Sequence, residues 1–151
     1  HEYLVEQLQF TGVESATADS VNKYRLNFNH PVKELVWVTS EASKALDTIV
    51  GITDALLQLN GHDRFSKQTG KYFEAVQPHT HHTSSKTGVN VYSFALNPEE
   101  HQPSGTCNFS RIDNATLTIT TGASVAEVYI YALNYNVLRI MSGMGGLAYS
   151  N

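Results

Sequence analysis

Cysteine is almost missing from this sequence: Cys107 is the one thiol in 151 residues. No internal disulfide can staple the chain, and the compartment is left open. Basic runs are missing too, since the ten Lys and Arg occur singly and the formal net charge is −4. Binding nucleic acid through its phosphates needs a positive field that this composition does not supply, which argues against direct nucleic-acid contact. No apolar stretch approaches the roughly 18–20 residues of a membrane helix, so no membrane insertion is expected. Met is absent from the start and no apolar signal segment follows His1, which predicts a fragment or a processed product.

Charged residues make up only 16%, below the usual quarter. Their place is taken by 14 Thr, 13 Ser and 11 Asn, beside eight Tyr and six Phe. Thr and aromatics suit a pleated, half-buried surface, so composition leans towards all-β. The length fits one domain with a substantial core.

Period-2 alternation recurs between turn-forming clusters. Leu4 to Phe10 predicts a first strand. Val21 to Phe28 sets Tyr24, Leu26 and Phe28 on one face against Lys23, Arg25 and Asn27. Leu35 to Thr39 looks buried on both faces. Glu41 to Asp47 fits a helical turn or a loop. Ala55 to Leu59 is a short apolar strand ended by Asn60-Gly61, a strong turn signal without a clean second arm. Lys67 to Gln77 predicts a short helix stopped by Pro78, followed by a polar loop over 78–88. Further strands are expected at Val89 to Leu96, Cys107 to Ile112, Ala115 to Thr121 and Ala126 to Leu138, the last with a bend. Ser142 to Asn151, holding Gly143, Gly145 and Gly146, reads as an irregular tail. Seven or eight strands with one minor helix fit a two-sheet antiparallel sandwich or jelly roll.

Chemistry-bearing clusters are weak. His79, His81 and His82 share a stretch, with His101 elsewhere, and an H-x-H pair on a β-barrel invites comparison with the metal-binding cupins. The acidic ligand that should follow H-x-H is missing, and Thr106-Cys107-Asn108 stands where a second His belongs, so no metal ligand is assigned. Glu99, Glu100 and His101 read as a charged turn rather than an acid–base group. Asp63-Arg64 reads as a local ion pair. Cys107 reads as a small core residue. No nucleophile turn or phosphate-cradling glycine loop occurs, so no catalytic residue and no cofactor is assigned. Asn108-Phe-Ser110 and Asn114-Ala-Thr116 are glycosylation sequons, doubtful because Asn108 falls in an expected strand. Tyr92, Phe94, Tyr129, Tyr131 and Tyr135 could form a sugar-stacking platform, or else a core or subunit contact. A carbohydrate-binding sandwich and a cupin-like metal protein are thus the alternatives to a purely structural domain.

Longer strings carry a resemblance. Leu26-Asn-Phe-Asn-His-Pro-Val-Lys-Glu-Leu-Val-Trp-Val38, Ala55-Leu-Leu-Gln-Leu-Asn-Gly-His-Asp-Arg-Phe65, the stretch from Asn90 to Leu117 and the ending from Ala132 to Asn151 resemble the major capsid proteins of nucleocytoplasmic large DNA viruses. The resemblance implies a double jelly-roll protein of which residues 1–151 are the second jelly roll. Residues from about 1 to 8 would be the junction and first strand, and 142–151 a C-terminal tail. It further implies an eight-stranded antiparallel jelly-roll sandwich with one short helix in a loop. The implied role is structural: a homotrimer forming a pseudo-hexagonal capsomer of an icosahedral virion capsid, assembled in host cytoplasm. Its partners would be itself, neighbouring capsomers and minor capsid proteins. The stretches from Glu41 to Thr53 and from His79 to Thr87 match the family loosely. The loop from Asn97 to Gly105 and the glycine-rich tail are expected to order against neighbouring subunits.

Overall fold

The computed structural model describes residues 1–41, 49–83, 88–141 and 143–148. The expected turn or loop over Glu41 to Asp47 falls almost wholly outside them. Two antiparallel sheets face each other. The first contains β1 (Glu2–Ser15), β3 (Pro31–Ser40), β4 (Ile49–Val50), β8 (Asn90–Ser93), β9 (Cys107–Asn108), β11 (Glu127–Met141) and β12 (Met144–Leu147). The second contains β2 (Val21–Arg25), β5 (Ile52–Leu59), β6 (His62–Asp63), β7 (Gln68–Thr69) and β10 (Ala115–Thr121).

In the first sheet the order is β1-β11-β3, with β4, β8 and β9 sharing the far side of β3. In the second it is β2-β10-β5, with β6 and β7 beside β5. Successive long strands therefore alternate between the sheets, the connectivity of a jelly roll. Among the described residues, eight strand segments are four residues or longer.

Alternation selects which side chains meet between the sheets. Ala115, Leu117 and Ile119 of β10 point inward while the intervening Thr residues do not. Tyr24, Leu26 and Phe28 are buried on the expected face, although β2 itself stops at Arg25. Opposite them lie Val32, Leu35 and Trp37 of β3 and Val128, Ile130 and Ala132 of β11. Fully burying one such aliphatic side chain stabilises the fold by about 1.5–3 kcal/mol. Phe73 closes one side, its ring 5.1 Å from that of Trp37.

Four expectations are corrected. The helix does not stop at Pro78. A π-helical turn (Tyr72–Val76) runs directly into α1 (Gln77–His81), with Pro78 in its first turn. The Gln77 N–H donates to the Tyr72 carbonyl five residues back. Pro78 has no N–H to give to this continuous helical run, and the turn that precedes it is π-helical instead of α-helical. The polar loop expected over 78–88 therefore begins only after His81. Cys107 to Ile112 is not one strand: β9 is two residues long and passes into a 3-10 turn (Phe109–Arg111), capped by the Asn108 side chain accepting from the Ser110 N–H. The tail is not irregular throughout, because Met144–Leu147 pairs with β11; residues 149–151 lie outside the described set. Asn60 and Gly61, both with positive φ, do make a hairpin, whose second arm β6 is two residues long.

Candidate assembly surface

The side of the β1-β11-β3 sheet that faces away from the core is apolar over much of its length. Register places Leu8 against Leu133, Phe10 against Tyr131 and Val13 against Tyr129. Val36 and Val38 of β3 lie across from Tyr131 and Tyr129. Phe10 stacks on Tyr131 at 4.6 Å and nearly parallel. Leu8 is 65% exposed and Val13 58%, in contrast to the well-buried Tyr129 and Tyr135. We call this the pad.

Next to the pad the same face holds two buried charges. β3 carries one extra residue relative to β11, since Glu34 pairs with Leu133 and Val32 with Asn134. The extra residue turns Lys33 onto the same face as Glu34. Lys33 is 1% exposed and forms an ion pair with Glu6, and its ammonium lies 5.3 Å from the centre of the Tyr135 ring. Glu34 is reached from the other side by His82 Nε2 at 2.5 Å. His82 Nδ1 lies 3.1 Å from Glu99, and Glu99 also accepts from the Thr83 N–H. One imidazole thus ties β3, the end of α1 and the 97–105 loop together. Burial pushes the Glu34 carboxyl above its ordinary value, opposed by its contact with His82. The Thr83 N–H, followed by His82, holds Glu99 below its ordinary value. Burial, then Glu14, pushes the Tyr24 hydroxyl up to about 12.

Beyond Asn134, β11 loses β3 as a neighbour, and from Leu138 onward β12 pairs in its stead. On the other side β1 continues to Glu2 opposite Arg139, and His1 exchanges backbone bonds with Ile140. The result is a three-stranded tongue extending past the core. Met141 is 70% and Met144 77% exposed, and Tyr3, Ile140 and Leu147 are also exposed. Gly143, at φ +79, lies at the tip. A left-handed φ of this kind favours glycine.

The other residues singled out in the sequence do not converge. His79 and His101 are exposed, while His81 Nδ1 lies 3.1 Å from the Gln77 carbonyl. Among the described residues no group of three or more His, Cys, Asp or Glu is placed to hold a metal ion. Asp63 accepts from Gln58, and Arg64 lies over the Phe94 ring, so the expected local ion pair is replaced by these contacts. Cys107 is half-buried against the core, and burial raises its thiol pKa. Tyr92 is in the core, 4.6 Å from Phe65, whereas Tyr129, Tyr131 and Tyr135 lie on the outer face, so the five aromatics form no single platform. Asn114 is exposed beside Thr116.

Comparison with known proteins then decides the family. The family model for the large eukaryotic DNA virus major capsid protein matches residues 1–146. This chain belongs to that family. Within it, the chain is 52% identical to the major capsid protein of Pyramimonas orientalis virus, covering 100% of this chain and 43% of the relative. It is 42% identical to that of Paramecium bursaria Chlorella virus 1, covering 100% and 49%. The chain spans about half the length of these curated relatives. The quasi-atomic PBCV-1 virus capsid superposes with a TM-score of 0.85 at 39% identity, over 100% of this chain and 52% of that one. The Faustovirus major capsid protein shares the fold, with a TM-score of 0.78 at 13% identity, over 93% and 34%.

Proposed function

We propose that this chain is the second of two jelly rolls in a major capsid protein. Three copies of that protein form a pseudo-hexagonal capsomer, and capsomers tile an icosahedral shell assembled in host cytoplasm. The observation that carries this reading is the match of the whole chain to half of a capsid subunit, in sequence and in fold. The apolar pad and tongue fit the role, because a shell protein works by burying area against its neighbours. The role is structural rather than enzymatic, and the partners are further copies, neighbouring capsomers and minor capsid proteins. Cytoplasmic assembly bypasses the lumenal enzymes that read sequons, so Asn108 and Asn114 stay unmodified, which the intact mass of virion-derived protein checks. The main test is mass photometry of the full-length polypeptide. Particles of three subunit masses are expected; a population of single copies at micromolar concentration contradicts the reading.

A further inference from the structure

We propose that the Glu34–His82–Glu99 cluster is a proton-operated latch: one shared proton fastens the 97–105 loop to β3, and its departure as pH rises releases the loop. The inference goes beyond the capsid reading and does not depend on it.

The hydrogen-bond inventory requires the extra proton. An ionised carboxylate can only accept, and a neutral imidazole has one N–H and one lone pair. His82 nevertheless meets a carboxylate at each ring nitrogen, Glu34 at Nε2 (2.5 Å) and Glu99 at Nδ1 (3.1 Å). With both glutamates ionised and the imidazole neutral, one of these contacts would set lone pair against lone pair. Both form together only when the cluster holds one proton more. That proton sits on the ring, giving two charge-assisted bonds, or on Glu34, which then donates to Nε2 and leaves Nδ1–H for Glu99. Burial pushes the Glu34 value up and so favours the second placement; His82 itself, Lys33 and His81 oppose it and favour the first.

When the proton leaves, the two arms fare differently. Glu34 has 6% of its side chain exposed and Glu99 41%. A buried carboxylate without a donor is costly, so the remaining N–H stays with Glu34 and Glu99 turns to solvent. Its other bonds come from the Thr83 N–H and hydroxyl, and at an exposed carboxylate such bonds compete with water. Neighbouring groups do not replace the missing donor. Lys33 is engaged by Glu6 of β1, with the Tyr135 ring of β11 beside it. His81 Nδ1 faces the Gln77 carbonyl. Glu100 lines the same shallow cleft as His81, His82 and Glu99 and adds negative charge. His79 in α1 and His101 in the loop are exposed, and β8 carries no charged residue between Asn90 and Ser93.

The test is amide hydrogen exchange on the full-length polypeptide at about pH 5.5 and about pH 8.5, either side of the range in which imidazoles ordinarily titrate. Each rate is divided by the intrinsic chemical rate at that pH. The reporters are the Thr83 amide and residues 97–101. In the unmodified protein their protection is expected to fall about five- to tenfold from the lower to the higher pH, as one charge-assisted bond is lost. Glu34→Gln is expected to keep protection high at both, because an amide donates as well as accepts and closes the cluster without the extra proton. Glu99→Gln gives the same flat profile from an exposed position, so the test does not hang on the folding of a buried variant. His82→Gln is expected to be low at both, and His81→Gln to retain the wild-type fall. Unchanged near-ultraviolet circular dichroism verifies the fold of each. Constant protection in the unmodified protein overturns the latch, as does a fall that persists in His82→Gln or in both glutamine-for-glutamate variants. A fall abolished by His81→Gln assigns the proton to the wrong imidazole and also overturns it.

Discussion

Lys33 offers a demanding test of the outer-face architecture, because a lysine ammonium is rarely buried without a partner. Its partner is Glu6, with 31% of its side chain exposed, and the Tyr135 ring lies beside the ammonium. Lys33→Ala removes the charge and the four-carbon stem together. Deleting one member of a buried ion pair costs about 3–5 kcal/mol. Glu6 can recover some hydration, so the lower end, about 3 kcal/mol, is expected. A shift of about 2–4 °C per kcal/mol for a domain of this size puts the fall in Tm near 10 °C. Lys33→Met keeps the stem and discards the charge. Hydrophobic replacement of a buried pair is often close to neutral, so a loss of about 1 kcal/mol or less is expected. Thermal unfolding followed by near-ultraviolet circular dichroism separates the two. If Lys33→Ala melts within 2 °C of the unmodified protein, the ammonium and its stem are not fixed by the bulge as described.

Further expectations concern other parts of the fold. Glu34 has a raised folded pKa, so its contribution is complete below its ordinary value and is lost as pH rises through the folded one. Glu99 has a lowered one, so its contribution is present above its ordinary value and is lost as pH falls. Above the ordinary carboxyl value, up to pH 7, urea midpoints of Glu34→Gln are therefore expected to rise more steeply with pH than those of the unmodified protein; below that value, those of Glu99→Gln are expected to fall less steeply as pH drops; parallel profiles in the respective window contradict the assignment. In Gly70→Ala the new methyl would sit 2.2 Å from the Ile52 carbonyl oxygen, so a loss of about 1–3 kcal/mol is expected by urea unfolding. Leu117→Ala, in the core, is expected to cost about 2–5 kcal/mol, while Leu8→Ser on the pad leaves the urea midpoint almost unchanged; equal losses would contradict the division between core and pad.

Much of the sandwich was legible because burial between two sheets imposes a period of two. Ala115 to Thr121 is a strand with the expected bounds, and Tyr24, Leu26 and Phe28 face the core as their spacing predicts. What escaped breaks that period or depends on distant partners. The bulge in β3 puts Lys33 and Glu34 on one side, which strict alternation forbids. The π-helical turn carries the chain through Pro78, where proline normally signals an end. Gly145 and Gly146 offer no side-chain pattern, yet their backbone pairs with β11. The Glu34–His82–Glu99 cluster joins residues 48 and 17 positions apart, a proximity that only the tertiary fold creates. The pad was partly visible in the spacing of Tyr129, Tyr131 and Tyr135, but Phe10, which stacks on two of them, comes from the other end of the chain.

Amide hydrogen exchange on the full-length protein, compared between dissociated subunits and assembled particles, tests most directly whether this domain works through its exposed surfaces. Assembly is expected to slow exchange in residues 137–148 and 8–13 at least tenfold while leaving β10 unchanged. Equal exchange in the two states at both segments would contradict the account.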